Sequence, residues 1–464
     1  MKNYSLSPST KNIISSLVAD SVDRNKTLFQ FINFLDLMDD CSTIAINGSW
    51  GSGKTFFVKQ AKVILDFYNP QAILPDSTKN SLAEFLQRQN DLKCSGNYIS
   101  AYYDAWENDN EDDPILSIIK SVVMDEHIDF SPETERSFYE IMASLANVIS
   151  GRDFNKLLES MKGSNSFSEF KSKHTLSDIM QSFFDALIIE RGNRLVIFID
   201  ELDRCKPTYA VKLLERIKHY FTDPRVTFVF SVNAQELQST IRKYYGQDFN
   251  SGRYLDKFFD FKFTLPSVTN MLCDKYFARL ELKPDSNYCN RVCRQTITYF
   301  GLEMREAEKF ARNFKIISSK EILLEPIAAY EKATNFSIYF IAPILIALDI
   351  HDANTYDEFI RGKAPSAMVD ILSSPSINFW RHPYLLNKNK SEIFDTQMPH
   401  QTSSSQKVIH FAARIKEIYN ALFSPQDMDS LHYRPVEIGE MEFSSQIRNN
   451  LLETVSMLSK FSSF

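Results

Sequence analysis

The chain has 464 residues, 44 % apolar and 13 % aromatic, with a formal net charge of −7 and a pI near 5.7. Such a composition excludes disorder over most of the length and gives no global basic field of the kind that advertises nucleic-acid binding. The cysteines form no C-x-x-C pair, no run of 18 apolar residues occurs, and the N-terminus has no hydrophobic signal core, so the expectation is a cytoplasmic chain with reduced thiols and no membrane span.

Residues 11–40 read as a helix whose apolar face is Leu17, Val22, Leu28, Phe31, Phe34 and Leu35. A short β-prone strand follows at 43–47, and after it comes G-x-x-x-x-G-K-[ST], from Gly48 to Thr55. Of 12 glycines in the chain, Gly48, Gly51 and Gly53 fall within this loop, ahead of helical spacing through Phe57, Val58, Ala61, Ile64 and Leu65. Glycines let backbone N–H groups turn inward and lie against phosphate oxygens, and the helix N-terminus adds partial positive charge. The expected nucleotide contacts are therefore Gly48, Ser49, Trp50, Gly51, Ser52, Gly53, Lys54, Thr55 and Phe56. Lys54 would reach the β- and γ-phosphates and Thr55 would ligate Mg²⁺.

A second strand is expected at 97–104, and then an insertion at about 107–190, read as a soluble helical subdomain because Lys120, Asp125, Glu140 and Lys156 interrupt its apolar stretches. The run Leu195 to Ile199 is wholly apolar, as in a parallel strand covered on both faces. Asp200 ends that strand, where ligands bind in open α/β sheets, and is expected to hold Mg²⁺ through water; Glu201 could polarise the attacking water. A strand at 226–233 ends in Asn233, placed to orient water or touch the γ-phosphate, or to cap the helix that follows. Arg253 and Lys257 precede a last strand at 260–266, and either could reach a neighbouring subunit's γ-phosphate as a trans finger.

Beyond Pro266 the chain becomes mainly helical. Residues 271–320 carry ten Lys and Arg against six Asp and Glu, a local excess of +4. Phe336 to Leu348 is apolar over 13 residues and contains Pro343, which suits a buried, kinked core helix. Asn387 to Lys407 reads as a loop, and the last 57 residues read as helical.

Taken in order, these segments resemble the KAP family of P-loop NTPases. The likeness rests on Gly48-Ser-Trp-Gly-Ser-Gly-Lys-Thr55, Tyr103-Asp-Ala-Trp-Glu107, Asp200-Glu-Leu-Asp-Arg-Cys205, and Gly252-Arg-Tyr-Leu-Asp-Lys-Phe-Phe259 followed by Phe263-Thr-Leu-Pro266. The resemblance implies an ASCE-type α/β fold: five parallel strands with the P-loop strand central, helices on both sides, then a helical lid. In that lid Glu303 to Lys309 resembles a helix start whose Arg305 faces the phosphates. Asp23-Arg24 resembles a further family feature whose role the sequence does not give. The implied domains are an NTPase core at 1–266, a lid at 267–330 and a helical C-terminal region at 331–464. Many relatives insert transmembrane helices, which this chain lacks, and many carry Asp where Glu201 stands, a difference that favours hydrolysis over binding alone. The implied activity is Mg²⁺-dependent ATP hydrolysis driving a conformational or oligomeric switch. That switch would control a partner effector, plausibly in bacterial anti-phage defence, through a homo-oligomer or a separate effector protein. The alternatives are a DNA-associated ATPase motor or loader, and a scaffold with structural ATP.

Overall fold

The computed structural model describes residues 8–20, 24–38, 42–94, 96–123, 125, 176–221, 223–266, 286–318, 328–377, 404–424 and 435–461. Most of the expected insertion at 107–190, about a third of the basic segment, most of the 387–407 loop, Asp23, Cys41 and Cys273 lie outside them. The chain divides into two compact units, residues 1–267 and 268–464.

In the first unit α1 (Thr10–Val18) and α2 (Asn25–Leu37) replace the single expected helix. The break has a local cause: Asp20 takes a left-handed φ of 43°, and its carboxylate accepts from the N–H groups of Arg24 and Asn25. Next come β1 (Ser42–Asn47), α3 (Lys54–Tyr68), α4 (Asp76–Leu86), β2 (Tyr98–Asp104), α5 (Pro114–Val123), α6 (Leu176–Arg191) and β3 (Arg194–Asp200). They are followed by α7 (Pro207–Tyr220), β4 (Val226–Val232), α8 (Ala234–Tyr245), α9 (Ser251–Leu255) and β5 (Phe261–Thr264).

All five strands are parallel, in the order β2-β3-β4-β1-β5. The P-loop strand β1 is interior and paired on both sides, but the middle strand is β4, not β1 as the resemblance implied. In β3 and β4 successive side chains alternate between two buried layers, which is why these strands read as unbroken apolar runs. Val196 and Phe198 of β3 and Val229 of β4 pack with Phe31, Phe57 and Ile64 on one face. Leu195, Ile197 and Ile199, with Phe228 and Phe230, pack with Ile118, Phe184 and Leu214 on the other. The register sets Asp104, Asp200 and Ser231 side by side at the C-terminal edge of the sheet, with Asn47 opposite Val232 and Thr264.

The second unit contains α10 (Ser286–Phe300), α11 (Met304–Ser318), α12 (Ala329–Phe336), a π-helical turn (Ser337–Ile341), α13 (Ala342–His351), α14 (Ala353–Ile360) and α15 (Ser366–Leu372). After them come α16 (Ser404–Phe423), β6 (Val436–Ile438), β7 (Met441–Phe443) and α17 (Ser445–Phe461). One core runs from Cys289 and Phe314 through Leu345 and Tyr419 to Phe443 and Leu451. The stretch Ala329–His351 is long and apolar enough to cross a membrane by length and composition alone, and 78 % of its most apolar window is buried. Its irregularity is set by Pro343, which has no N–H to give the carbonyl of Tyr339; the π turn precedes it, and the Cys289 thiol donates to that carbonyl at 3.5 Å. The reading of the last 57 residues as helical is corrected by the β6–β7 hairpin. There Ile438, Met441 and Phe443 alternate inward around Gly439, whose φ is 64°.

Candidate nucleotide site

The P-loop joins β1 to α3, and its glycines stand there for two different reasons. Gly51 and Gly53 have φ of 84° and 87°, where a side chain is strained. Gly48 has no room, since a Cβ there would meet Ser52 Oγ at 2.6 Å and Lys54 Cγ at 3.3 Å. Gly53 caps α3 with no side chain, so nothing of its own covers the first amides of the helix. Lys54 Nζ lies across the loop, donating to the carbonyls of Gly48 at 2.8 Å and Ser49 at 3.0 Å. Burial lowers the pKa of this ammonium, against the raising influence of Asp203, Asp200 and Glu201.

Asp200 ends β3 fully buried; its Oδ2 accepts from the Tyr102 hydroxyl at 3.0 Å and its Oδ1 from the N–H of Glu201 at 3.0 Å. Glu201 itself has a left-handed backbone, φ 60° and ψ 23°, a costly conformation for a residue with a Cβ. Burial, and then the Asp200 charge, push its carboxyl up to about 7, while Arg204 and Lys54 pull the other way. Arg204 Nε meets Glu201 Oε2 at 2.6 Å, and the Trp50 indole N–H donates to Asp203 Oδ2 at 2.6 Å.

Asn233 is the N-cap of α8, its Oδ1 accepting from the N–H groups of Gln235 at 3.1 Å and Glu236 at 3.4 Å. The capping role is therefore present, and any contact with phosphate or water falls to its amide nitrogen. Arg253 and Lys257 are exposed on and just after α9. Arg305 belongs to the second unit, exposed near the start of α11, where it and Arg312 both act on the carboxyl of Glu308. The P-loop, Asp200 and Glu201 thus come together within one unit; Arg305 lies in the other.

Several residues of this site were not singled out by the spacing. Buried Arg24 donates to the carbonyls of Ser52 in the P-loop and Pro266 after β5, which gives the Asp-Arg feature a physical role. Asn47 Oδ1 accepts from the N–H of Ala234 at 2.9 Å, tying the end of β1 to α8. Tyr102, Trp106, Asp203 and Arg204 complete the surroundings of Asp200 and Glu201. The available signal was the quoted family segments, which contain Trp106, Asp203 and Arg204 without saying what they touch.

The residues fit a nucleotide with a divalent cation. Ser52 Oγ, Asp203 Oδ1 and Ser231 Oγ are buried with no hydrogen-bond partner among the described residues, and such orphans suit a polar ligand. No group of three His, Cys, Asp or Glu there could cage a metal. A cation held by Thr55 and, through water, Asp200 would take its remaining ligands from phosphate oxygens and water, the usual habit of Mg²⁺.

Three solved structures resemble the chain at low identity. The Aeropyrum pernix ORC2 protein in its ADPNP–ADP complexes has a TM-score of 0.31 and 11 % identity, covering 79 % of this chain and 78 % of that one. The Aeropyrum pernix ORC1 protein in complex with DNA has 0.31 and 12 %, covering 96 % and 94 %. Drosophila ORC bound to GC-rich DNA and Cdc6 has 0.30 and 11 %, covering 91 % and 54 %. No curated protein matches. The sequence model of the KAP family P-loop domain matches residues 24–320, a span that takes in the P-loop, the whole sheet and the acidic strand end, and the chain belongs to the KAP family of P-loop NTPases.

Proposed function

We propose that this NTPase binds ATP with Mg²⁺, hydrolyses it, and uses the nucleotide state to switch a conformation or an assembly that controls a partner effector. The observation that carries the reading is the convergence of Lys54, Asp200 and Glu201, with Glu201 pushed to about 7. A carboxylate with that affinity for a proton suits a general base at neutral pH. In this reading the P-loop amides and Lys54 hold the phosphates, Thr55 and Asp200 place the cation, and Glu201 Oε1 takes the proton from the attacking water. Mg²⁺, when bound, neutralises charge developing between the β- and γ-phosphates. The Asn233 amide, Arg305 from the lid at 267–330, and Arg253 or Lys257 from a second copy are the proposed further contacts. A cytoplasmic setting belongs to the same reading, as does the bacterial-defence role that the resemblance implies, on which no residue of the site bears.

Two variants test the site. Glu201→Gln should bind ATP as well as the parent and lose turnover by about 100-fold or more. A parent turnover that is already low, and that Glu201→Gln leaves unchanged, would point instead to a scaffold with structural ATP; normal turnover in the variant would refute Glu201 as the base. Lys54→Ala should weaken ATP binding by about tenfold or more, because charge-assisted bonds to phosphate are lost; unchanged affinity refutes the site. Solution mass without nucleotide, with ADP, and with ATP–Mg²⁺ on Glu201→Gln then separates an oligomeric switch from a change within one assembly.

A further inference from the structure

Two of the chain's three tryptophans stand beside one guanidinium. Arg204 Cζ lies 5.7 Å from the ring centre of Trp50 and 5.5 Å from that of Trp106. The Trp50 ring and the Trp106 backbone are held independently. The Trp50 indole N–H is tied to Asp203, and Trp106 sits in a turn where Asp104 Oδ1 accepts from the N–H groups of Trp106, at 3.1 Å, and Glu107, at 3.0 Å. Both indoles nevertheless remain about half exposed, at 46 % and 53 %, so burial does not account for their presence. A cation over an aromatic face does account for it, because two ring faces hold a guanidinium that a half-buried ion pair alone would hold less firmly. The caged guanidinium spends its Nε on Glu201 Oε2 at 2.6 Å. Oε1 is the oxygen that the proposed function assigns to the attacking water.

We propose that Arg204 is the positioning residue of Glu201, held between Trp50 and Trp106 so that the carboxylate points in one working direction. The inference deepens the reading of Glu201 as the water-activating group and rests on it. The P-loop, the turn after β2 and the exit of β3 each contribute one part of the cage. The ion pair spans one 3₁₀ turn, from a residue whose left-handed backbone already sets where its side chain leaves the chain. Without the guanidinium the Glu201 side chain recovers its rotamers, and the fraction of time spent against the attacking water falls.

The test is a double-mutant cycle on the full chain, reading kcat, KM and, separately, equilibrium ATP affinity. Arg204→Ala should lower kcat by about tenfold and leave ATP affinity within about twofold. Arg204→Lys, which keeps the charge but not the planar fork, should recover part of the loss. Trp106→Ala should lower kcat in the same sense. In the Glu201→Gln background, with residual hydrolysis followed under single-turnover conditions, Arg204→Ala should change the rate by less than about twofold, since its route of action is already gone. Equal slowing in both backgrounds overturns the proposal, as does a faster Arg204→Ala, which would make Arg204 a restraint. A fast Glu201→Gln defeats the reading underneath instead, and the two failures are separately visible. If Arg204→Ala does not fold, Arg204→Lys and Trp106→Ala carry the same cycle.

Discussion

At the residue scale, the site is built from conformations that cost free energy and are kept where the ligand needs them. Gly51, Gly53 and Glu201 all have positive φ, and Glu201 bears a side chain in spite of it. For Gly53 the consequence is calculable. A Cβ at φ 87° brings the left-handed penalty of about 1–2 kcal/mol, so Gly53→Ala should lower unfolding free energy by about that much in denaturant titration. The same substitution should weaken ATP binding by tenfold or so, because relaxing the strain turns the first amides of α3 away from the phosphates. Gly48→Ala makes a contrast, since the clash there is with the hydroxyl of Ser52, which can rotate. Full stability and full affinity in Gly53→Ala would mean that the left-handed turn is dispensable.

At the scale of elements, parallel register brings acidic and polar residues to one edge, and helix caps fix the loops between them. Asn233 belongs to both descriptions, as the cap of α8 and as the last polar group after β4. Asn233→Ala removes the cap and should cost about 1 kcal/mol of stability. Asn233→Ser keeps an oxygen for the cap, removes the amide and adds no charge. A fall in kcat of tenfold or more in Asn233→Ser, at unchanged melting temperature, would assign the amide to catalysis; normal turnover would leave Asn233 as a cap alone. Elements of this kind differed in how far the sequence revealed them. Strands β3 and β4 were legible because strands buried on both faces are continuous apolar runs, and the P-loop because its three glycines sit at set intervals; the exposed β5, with Lys262 in it, was placed by the family segments around it. The break between α1 and α2 was not legible, since Asp20 enters the left-handed region without the glycine that would announce it. Nor was the β6–β7 hairpin, whose three-residue strands are too short to outweigh helical neighbours. The Arg204 cage joins Trp50 to residues about 150 positions away, and no local pattern carries a contact of that kind.

At the scale of the whole molecule, the proposed site, Glu201 included, lies within the first unit, which raises the question of what the second unit would do with the nucleotide. That second unit has its own continuous core, from Cys289 to Val455. A net charge of −7, with a local excess of only +4 over 271–320, gives a DNA-associated motor a weak electrostatic footprint, and the listener in the proposed reading is a protein. A switch requires that ATP have different affinities for two arrangements of the chain, and that difference must appear as changed local stability away from the phosphates. Hydrogen exchange on Glu201→Gln, with and without ATP–Mg²⁺, reads it directly. Protection should rise in 42–68 and 194–206, where the nucleotide binds, and should also change in α11 and α13 of the second unit. Changes confined to the first unit, at saturating ATP and in a variant that cannot discharge it, would leave an ATPase whose second unit does not hear the nucleotide, and the switch would fall while the hydrolytic site stood.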